Sequence, residues 1–128
     1  MSAKDEESDA TANALTDSLQ VLIGEKLSSI TFVLDYWQID FDGNGFNVMS
    51  QITVTGANWT SRSGDPGFRD RLCERISKIV SHTEFEDDVG VSITFEDQGR
   101  LQLSTKPEDY RGPEALIFRR TDNRWCAI

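Results

Sequence analysis

Residues 27–42 read LSSITFVLDYWQIDFD, the densest β-branched and aromatic run in the chain. Its period-two pattern changes phase midway. Ile30, Phe32, Leu34 and Tyr36 share one face before the change. Trp37, Ile39 and Phe41 share a face after it, with Gln38, Asp40 and Asp42 opposite. Side chains alternate across a strand, so the slip requires an extra residue or a corner near Asp35, Tyr36 and Trp37. The stretch therefore predicts a long, sharply bent strand, or two strands meeting at a corner. It ends in Asp42-Gly43-Asn44-Gly45, residues that tolerate positive φ and signal a hairpin. A return strand is then expected from Phe46 to Thr55, with Phe46, Val48, Ile52 and Val54 on one face.

Upstream, Leu15, Leu19, Leu22 and Ile23 recur at helical spacing, and Gly24 suits a left-handed helix end. Residues 1–12 are polar and acidic with almost no large apolar groups. They read as a disordered tail, because nothing offsets the entropy of ordering them. Residues 13–128 read as a single domain. Downstream, 56–65 reads as a loop around Trp59. The main helix is expected over about 66–82, with Asp65 as its cap, Pro66 at its first position, and Phe68, Leu72, Ile76, Ile79 and Val80 as its apolar stripe. An acidic connector of Glu84, Glu86, Asp87 and Asp88 follows. Strands are expected over Val89–Glu96, Arg100–Thr105, Ala115–Arg119 and Arg124–Ala127, with a loop between Pro107 and Pro113.

The two halves echo one another. Leu27-Ser28 and Phe32 align with Val80-Ser81 and Phe85 at constant offset, and the Asp-Gly turn after Phe41 matches Asp97-Gln98-Gly99 after Phe95. The slip at Asp35–Trp37 then corresponds to a turn at Glu86–Gly90. The fold class expected is α+β: a mostly antiparallel, strongly bent sheet with one main helix and a short N-terminal helix, built as a pseudo-repeat of helix plus three strands.

The net charge is -9 over 128 residues. An acidic chain argues against nucleic acid, whose phosphates need clustered Lys and Arg, and is compatible with a basic protein partner. No apolar run approaches the ~20 residues of a membrane span, and the start lacks the basic and apolar parts of a signal peptide. The expectation is a cytoplasmic protein with no membrane partner. Cys73 and Cys126, in no metal-like spacing, read as two small apolar side chains. Trp37 and Trp125 sit in strand patterns and read as core.

The candidate sites are few. Asp40-Phe41-Asp42-Gly43-Asn44-Gly45 matches the first half of a calcium loop, with Asp40, Asp42 and Asn44 as oxygen ligands. The position of the bidentate carboxylate is Gln51, and a β-hairpin explains the same residues. His82, the only histidine, follows the expected helix and has Glu84 and Glu86 nearby as general-base partners. No nucleophile motif or Gly-rich phosphate loop accompanies it, so the residues assign no catalytic role and no cofactor. Asp40 and Asp42 read as the solvent side of a half-buried strand rather than a carboxylate pair. Trp59, in a polar loop beside Arg62, reads as an aromatic anchor for a partner, with Glu84, Glu86, Asp87 and Asp88 as a negative patch.

The segments LIGEKLSSITFVLDYWQIDFDG and KPEDYRGPEALIF resemble small acidic bacterial proteins found among the immunity proteins of polymorphic toxin systems. The resemblance implies a stoichiometric binder that occludes a toxin by charge complementarity, and it carries no catalytic residues. The reading is thus a non-enzymatic protein-binding module with a basic toxin as partner. Two alternatives stand beside it: a homodimer joined through an exposed strand edge such as the tail, and a ligand-binding or enzyme module with a pocket where the corner at Asp35–Trp37 meets Trp59.

Overall fold

A computed structural model describes residues 15–110, 113–122 and 124–128. The expected disordered tail, 1–12, lies outside the described residues. Ten strands form two antiparallel five-stranded sheets. The first has the order β1 (Ser29–Val33), β2 (Tyr36–Phe41), β3 (Asn44–Val48), β9 (Leu116–Arg119), β10 (Trp125–Ala127). The second has the order β5 (Thr60–Arg62), β4 (Ile52–Thr55), β8 (Arg100–Ser104), β7 (Gly90–Phe95), β6 (Val80–Glu86). A helical stretch α1 (residues 15–19) runs into the 3-10 turn Gln20–Leu22, and α2 spans Phe68–Cys73. The fold is α+β, as the sequence predicts.

The phase slip in residues 27–42 is a hairpin, tighter than a corner. β1 and β2 pair from Ser29↔Asp40 to Val33↔Tyr36, leaving Leu34 and Asp35 as a two-residue turn. That register sets Ile30 opposite Ile39 and Phe32 opposite Trp37. Even residues of β1 therefore share a face with odd residues of β2, which is the change of phase. Neither Leu34 nor Asp35 takes positive φ, so the turn lacks the Asn-Gly chemistry by which such hairpins are usually read. The next turn has it: Asp42 and Gly43 take φ of 52° and 103° between the paired residues Phe41 and Asn44.

The expected return strand is two strands in different sheets. β3 pairs with β2 and β9, while β4, three residues on, pairs with β5 and β8. Met49–Gln51 carries the crossing, and Phe46, Val48, Ile52 and Val54 stay buried on both sides of it. β8 and β9 cross in the opposite sense, with Met49 N–H donating to the Ala115 carbonyl and Ser104 N–H to the Gln51 carbonyl. The two sheets are thus spliced along one bent seam.

The echo between halves extends through the whole domain. In each half a helix leads into three strands, and a closing hairpin then crosses to the other half's sheet: β4–β5 joins β8, and β9–β10 joins β3. Buried positions coincide at an offset of 53 residues: Leu15 with Phe68, Leu19 with Leu72, Leu27 with Val80. Ser28 and Ser81, at the same offset, each donate a hydroxyl hydrogen bond to a carbonyl of the neighbouring strand, that of Asp40 or Thr94. Where the halves meet, Lys26 and Ile79 form an antiparallel bridge, flanked by hydrogen bonds between Val80 and Glu25 and between Leu27 and Lys78.

That bridge shortens the main helix. The expected span of about 66–82 contracts to Phe68–Cys73. The N–H groups of Arg75, Ile76 and Lys78 donate three residues back instead of four, and Ser77 turns to φ 80°. Ile79 and Val80 then pair as extended chain, because sheet hydrogen bonding overrides helix periodicity. Asp65 does not cap the helix. Gly67 stands at the cap position, and the Asp65 carboxylate accepts the Arg62 N–H at 2.8 Å.

Other expectations change with exposure. Trp125 is 70 % exposed on the edge strand β10, whereas Trp37 packs partly buried, edge-on to Phe32 and Phe68. Cys73 is an exposed thiol rather than core, and Cys126 is half-buried. No described helix is long and apolar enough to cross a membrane.

Candidate functional site

The residues expected to meet a partner do not form one patch. Trp59 stands between β4 and β5 at one edge of the second sheet, while Glu84 and Glu86 lie on β6 at the other edge, with Asp87 and Asp88 in the β6–β7 turn. Five strands at ~4.8 Å spacing set the two edges about 19 Å apart along the sheet. Trp59 also folds back: its indole closes so tightly over Gly56 that a Cβ there would collide with it. The Arg71 guanidinium covers its ring at 4.3 Å.

His82 is on β6 rather than at a helix end. Its Nε2 lies 3.3 Å from Glu84 Oε1, two residues along on the same face, and both side chains are largely exposed. Such a pair is a surface ion pair when the imidazole is protonated. Two of the three calcium-loop side chains, Asp40 and Asn44, have an oxygen engaged by a protein donor. Asp40 Oδ1 accepts from Arg119 at 2.9 Å, and Asn44 Oδ1 accepts the Thr121 N–H at 3.0 Å. Among the described residues, no group of three or more His, Cys, Asp or Glu side chains is placed to hold a metal ion.

Two depressions draw on the β1–β2 hairpin, one through Trp37 and one through Asp35, and Trp59 lines neither. One, of about 400 Å³, runs between Trp37 and the start of α2 at Asp65, Phe68 and Asp70. The other, of about 670 Å³, is the more acidic. Asp35 from the β1–β2 turn faces Glu108 and Asp109 from the 3-10 turn Pro107–Asp109 across it, with Tyr110, Ser50 and Gln51 also lining it. The strand crossing explains the meeting. Met49–Gln51 forms the floor as the chain passes between sheets, and the longer β8–β9 connection lays Glu108 and Asp109 along the wall.

This acidic cleft is held firmly on one side. Asp109 Oδ2 accepts the Ser104 hydroxyl at 2.6 Å, and Ser104 Oγ accepts the Lys106 N–H. Asp35 and Glu108 have no ion-pair partner among the described residues. Ser50, nine-tenths buried, has a hydroxyl with no hydrogen-bond partner. The Thr105 N–H donates to the Val89 carbonyl, which brings the Glu86–Asp88 turn alongside the same wall. One end of the molecule therefore collects acids from the β1–β2 turn, the β6–β7 turn and the 3-10 turn.

A groove of about 530 Å³ on the first sheet offers the contrast. Arg119, Arg120, Arg124 and Trp125 line it, but Asp40 pairs with Arg119, and Asp122 with both Arg120 and Arg124. Its charges are paired, whereas Asp35 and Glu108 in the cleft have no ion-pair partner among the described residues.

Sequence reasoning found the Glu86–Asp88 turn and missed Asp35, Glu108 and Asp109 as one site. KPEDYRGP was legible as a loop, and Asp35 as the point of the phase slip. What joins them is the sheet crossing, which no local pattern announces. Comparison with known proteins adds nothing here: no family model, curated protein or solved structure matches the chain.

Proposed function

We propose that the protein is a non-enzymatic protein-binding module that receives a basic segment of another protein in the acidic cleft. The reading of an immunity-type protein that neutralises a basic toxin fits this role. The observation that carries the proposal is the convergence of Asp35, Glu108 and Asp109 on one cleft, none of them in an ion pair among the described residues. Carboxylates left unmatched on a folded surface repel one another, and a cationic segment relieves that repulsion while gaining charge-assisted hydrogen bonds. The Glu86–Asp88 turn widens the negative field and steers approach. The free thiols of Cys73 and Cys126 suit a reducing compartment, so the proposed setting is the cytoplasm.

Titration calorimetry with a Lys- and Arg-rich peptide tests this. Binding is expected to weaken about tenfold or more between ~0.05 M and ~0.3 M salt as screening shortens the Debye length. It is also expected to be lost in the double variant Asp35→Lys, Glu108→Lys, while Glu84→Lys leaves most of it. Equal binding by the double variant and the wild-type protein would overturn the assignment to this cleft.

A further inference from the structure

Four strands end the two sheets, and three of them are poor templates for another strand. β5 and β10 are three residues long. β6 is longer, but its register shifts between Val80 and His82, and it carries the exposed Glu84 and Glu86. Short length, a bulge and charge are the means by which sheet edges are blunted. β1, the counterpart of β6 in the other half, has none of them. Its five residues pair with β2 in unbroken register, and no charged residue occurs from Leu27 to Leu34. Four of its five residues are exposed. Phe32 is 45 % exposed although it lies opposite Trp37 on the core side of the sheet, and Leu34, at the turn, is 96 % exposed. Two edges related by the internal repeat have thus been treated in opposite ways.

We propose that β1 is a homodimer edge, pairing antiparallel with β1 of a second copy about a two-fold axis at Thr31 and joining the first sheets of both copies into one of ten strands. The edge is complementary to itself. In this register Ile30 lies opposite Phe32 of the second copy, so each half-open phenyl ring gains an apolar neighbour on the core side. No charged residue occurs from Leu27 to Leu34, so the pairing sets no like charges opposite one another. A basic partner of the kind the acidic cleft would take gains nothing from an uncharged edge, whereas a second copy of this chain does. The contact is isologous and closes at two subunits.

Light scattering and a directed cross-link test the pairing. The wild-type protein is expected at twice the 14.4 kDa chain mass. Thr31 is exposed, and Thr31→Glu sets two carboxylates face to face across the axis. That variant is expected at one chain mass with an unchanged circular dichroism spectrum. Thr31→Cys, in a Cys73→Ser, Cys126→Ser background, places two thiols directly opposite at disulfide range and is expected to cross-link on mild oxidation. Wild-type protein at a single chain mass would overturn the proposal. So would a dimer that survives Thr31→Glu and gives no Thr31→Cys cross-link.

Discussion

At the residue scale, the two halves differ in charge at one buried position. Leu22 and Arg75 stand 53 residues apart at equivalent places, the first fully buried and the second with a side chain only 9 % exposed. Burying a guanidinium requires a partner, and Asp97 supplies one: Arg75 Nη1 lies 2.8 Å from both of its carboxylate oxygens. Arg75 also sits 5.7 Å from the centre of the Phe95 ring. Removing the acid leaves the cation uncompensated, while replacing the cation with an apolar group does not. Asp97→Ala is therefore expected to lower the unfolding free energy by about 2–3 kcal/mol. That is the low side for a broken buried pair, since Asp97 is 38 % exposed. Arg75→Leu, which installs the residue of the other half, is expected to cost about 1 kcal/mol or less. Urea unfolding of the two variants measures the difference.

The same pair sets an acid limit. Burial by itself raises the Asp97 pKa. The Gly99 N–H bond, the Arg75 guanidinium and the Lys78 charge outweigh it and hold the carboxyl below its ordinary value. A carboxyl with a lowered folded-state pKa adds stability that is complete above its unfolded pKa, ~3.9, and is lost as pH falls toward the folded value. Unfolding midpoints should thus drop more steeply below about pH 4 in the wild-type protein than in an Asp97→Asn variant. Parallel curves would contradict this.

At the element scale, the turns decide what was legible. Asp42-Gly43 declares its hairpin because both residues take positive φ. Gly43→Ala is expected to cost about 1–3 kcal/mol, since a Cβ is strained at that φ and would also meet Thr121; thermal unfolding checks it. Asp97-Gln98-Gly99 was legible from its Asp and Gly, although Gln98, at φ 73°, is the residue that takes positive φ. The Leu34-Asp35 turn was not, because its residues keep ordinary φ and only the change of phase betrays it. The helix at 66–82 was overextended because Ile76, Ile79 and Val80 continue the apolar spacing, although Ile79 and Val80 answer to the chain at Glu25–Leu27. The strand Phe46–Thr55 was merged because Ser50, buried at the crossing, keeps the even residues in phase. Local pattern reports which side of the chain is covered, and not by which sheet.

At the scale of the whole molecule, doubling explains the architecture and its breaks mark the surfaces. Each half lends its closing hairpin to the other, so neither sheet is complete without both. The repeat was visible in the sequence through Leu27-Ser28 and Val80-Ser81 because packing and capping positions recur in both halves. The cleft was not visible, because it arises where the halves differ. The β3–β4 crossing is three residues long, and the β8–β9 connection is longer and carries Glu108 and Asp109. Those carboxylates face Asp35 only once the sheets are spliced. This is the end of the molecule proposed to receive a cationic segment. Amide chemical-shift mapping during titration with a Lys- and Arg-rich peptide tests it most directly. Perturbations are expected to concentrate at Asp35, Ser50, Gln51, Glu108, Asp109 and Tyr110, with weaker ones at Glu86–Asp88. Perturbations centred on Trp59 or on the Arg119–Trp125 groove, or none at any position, would contradict it.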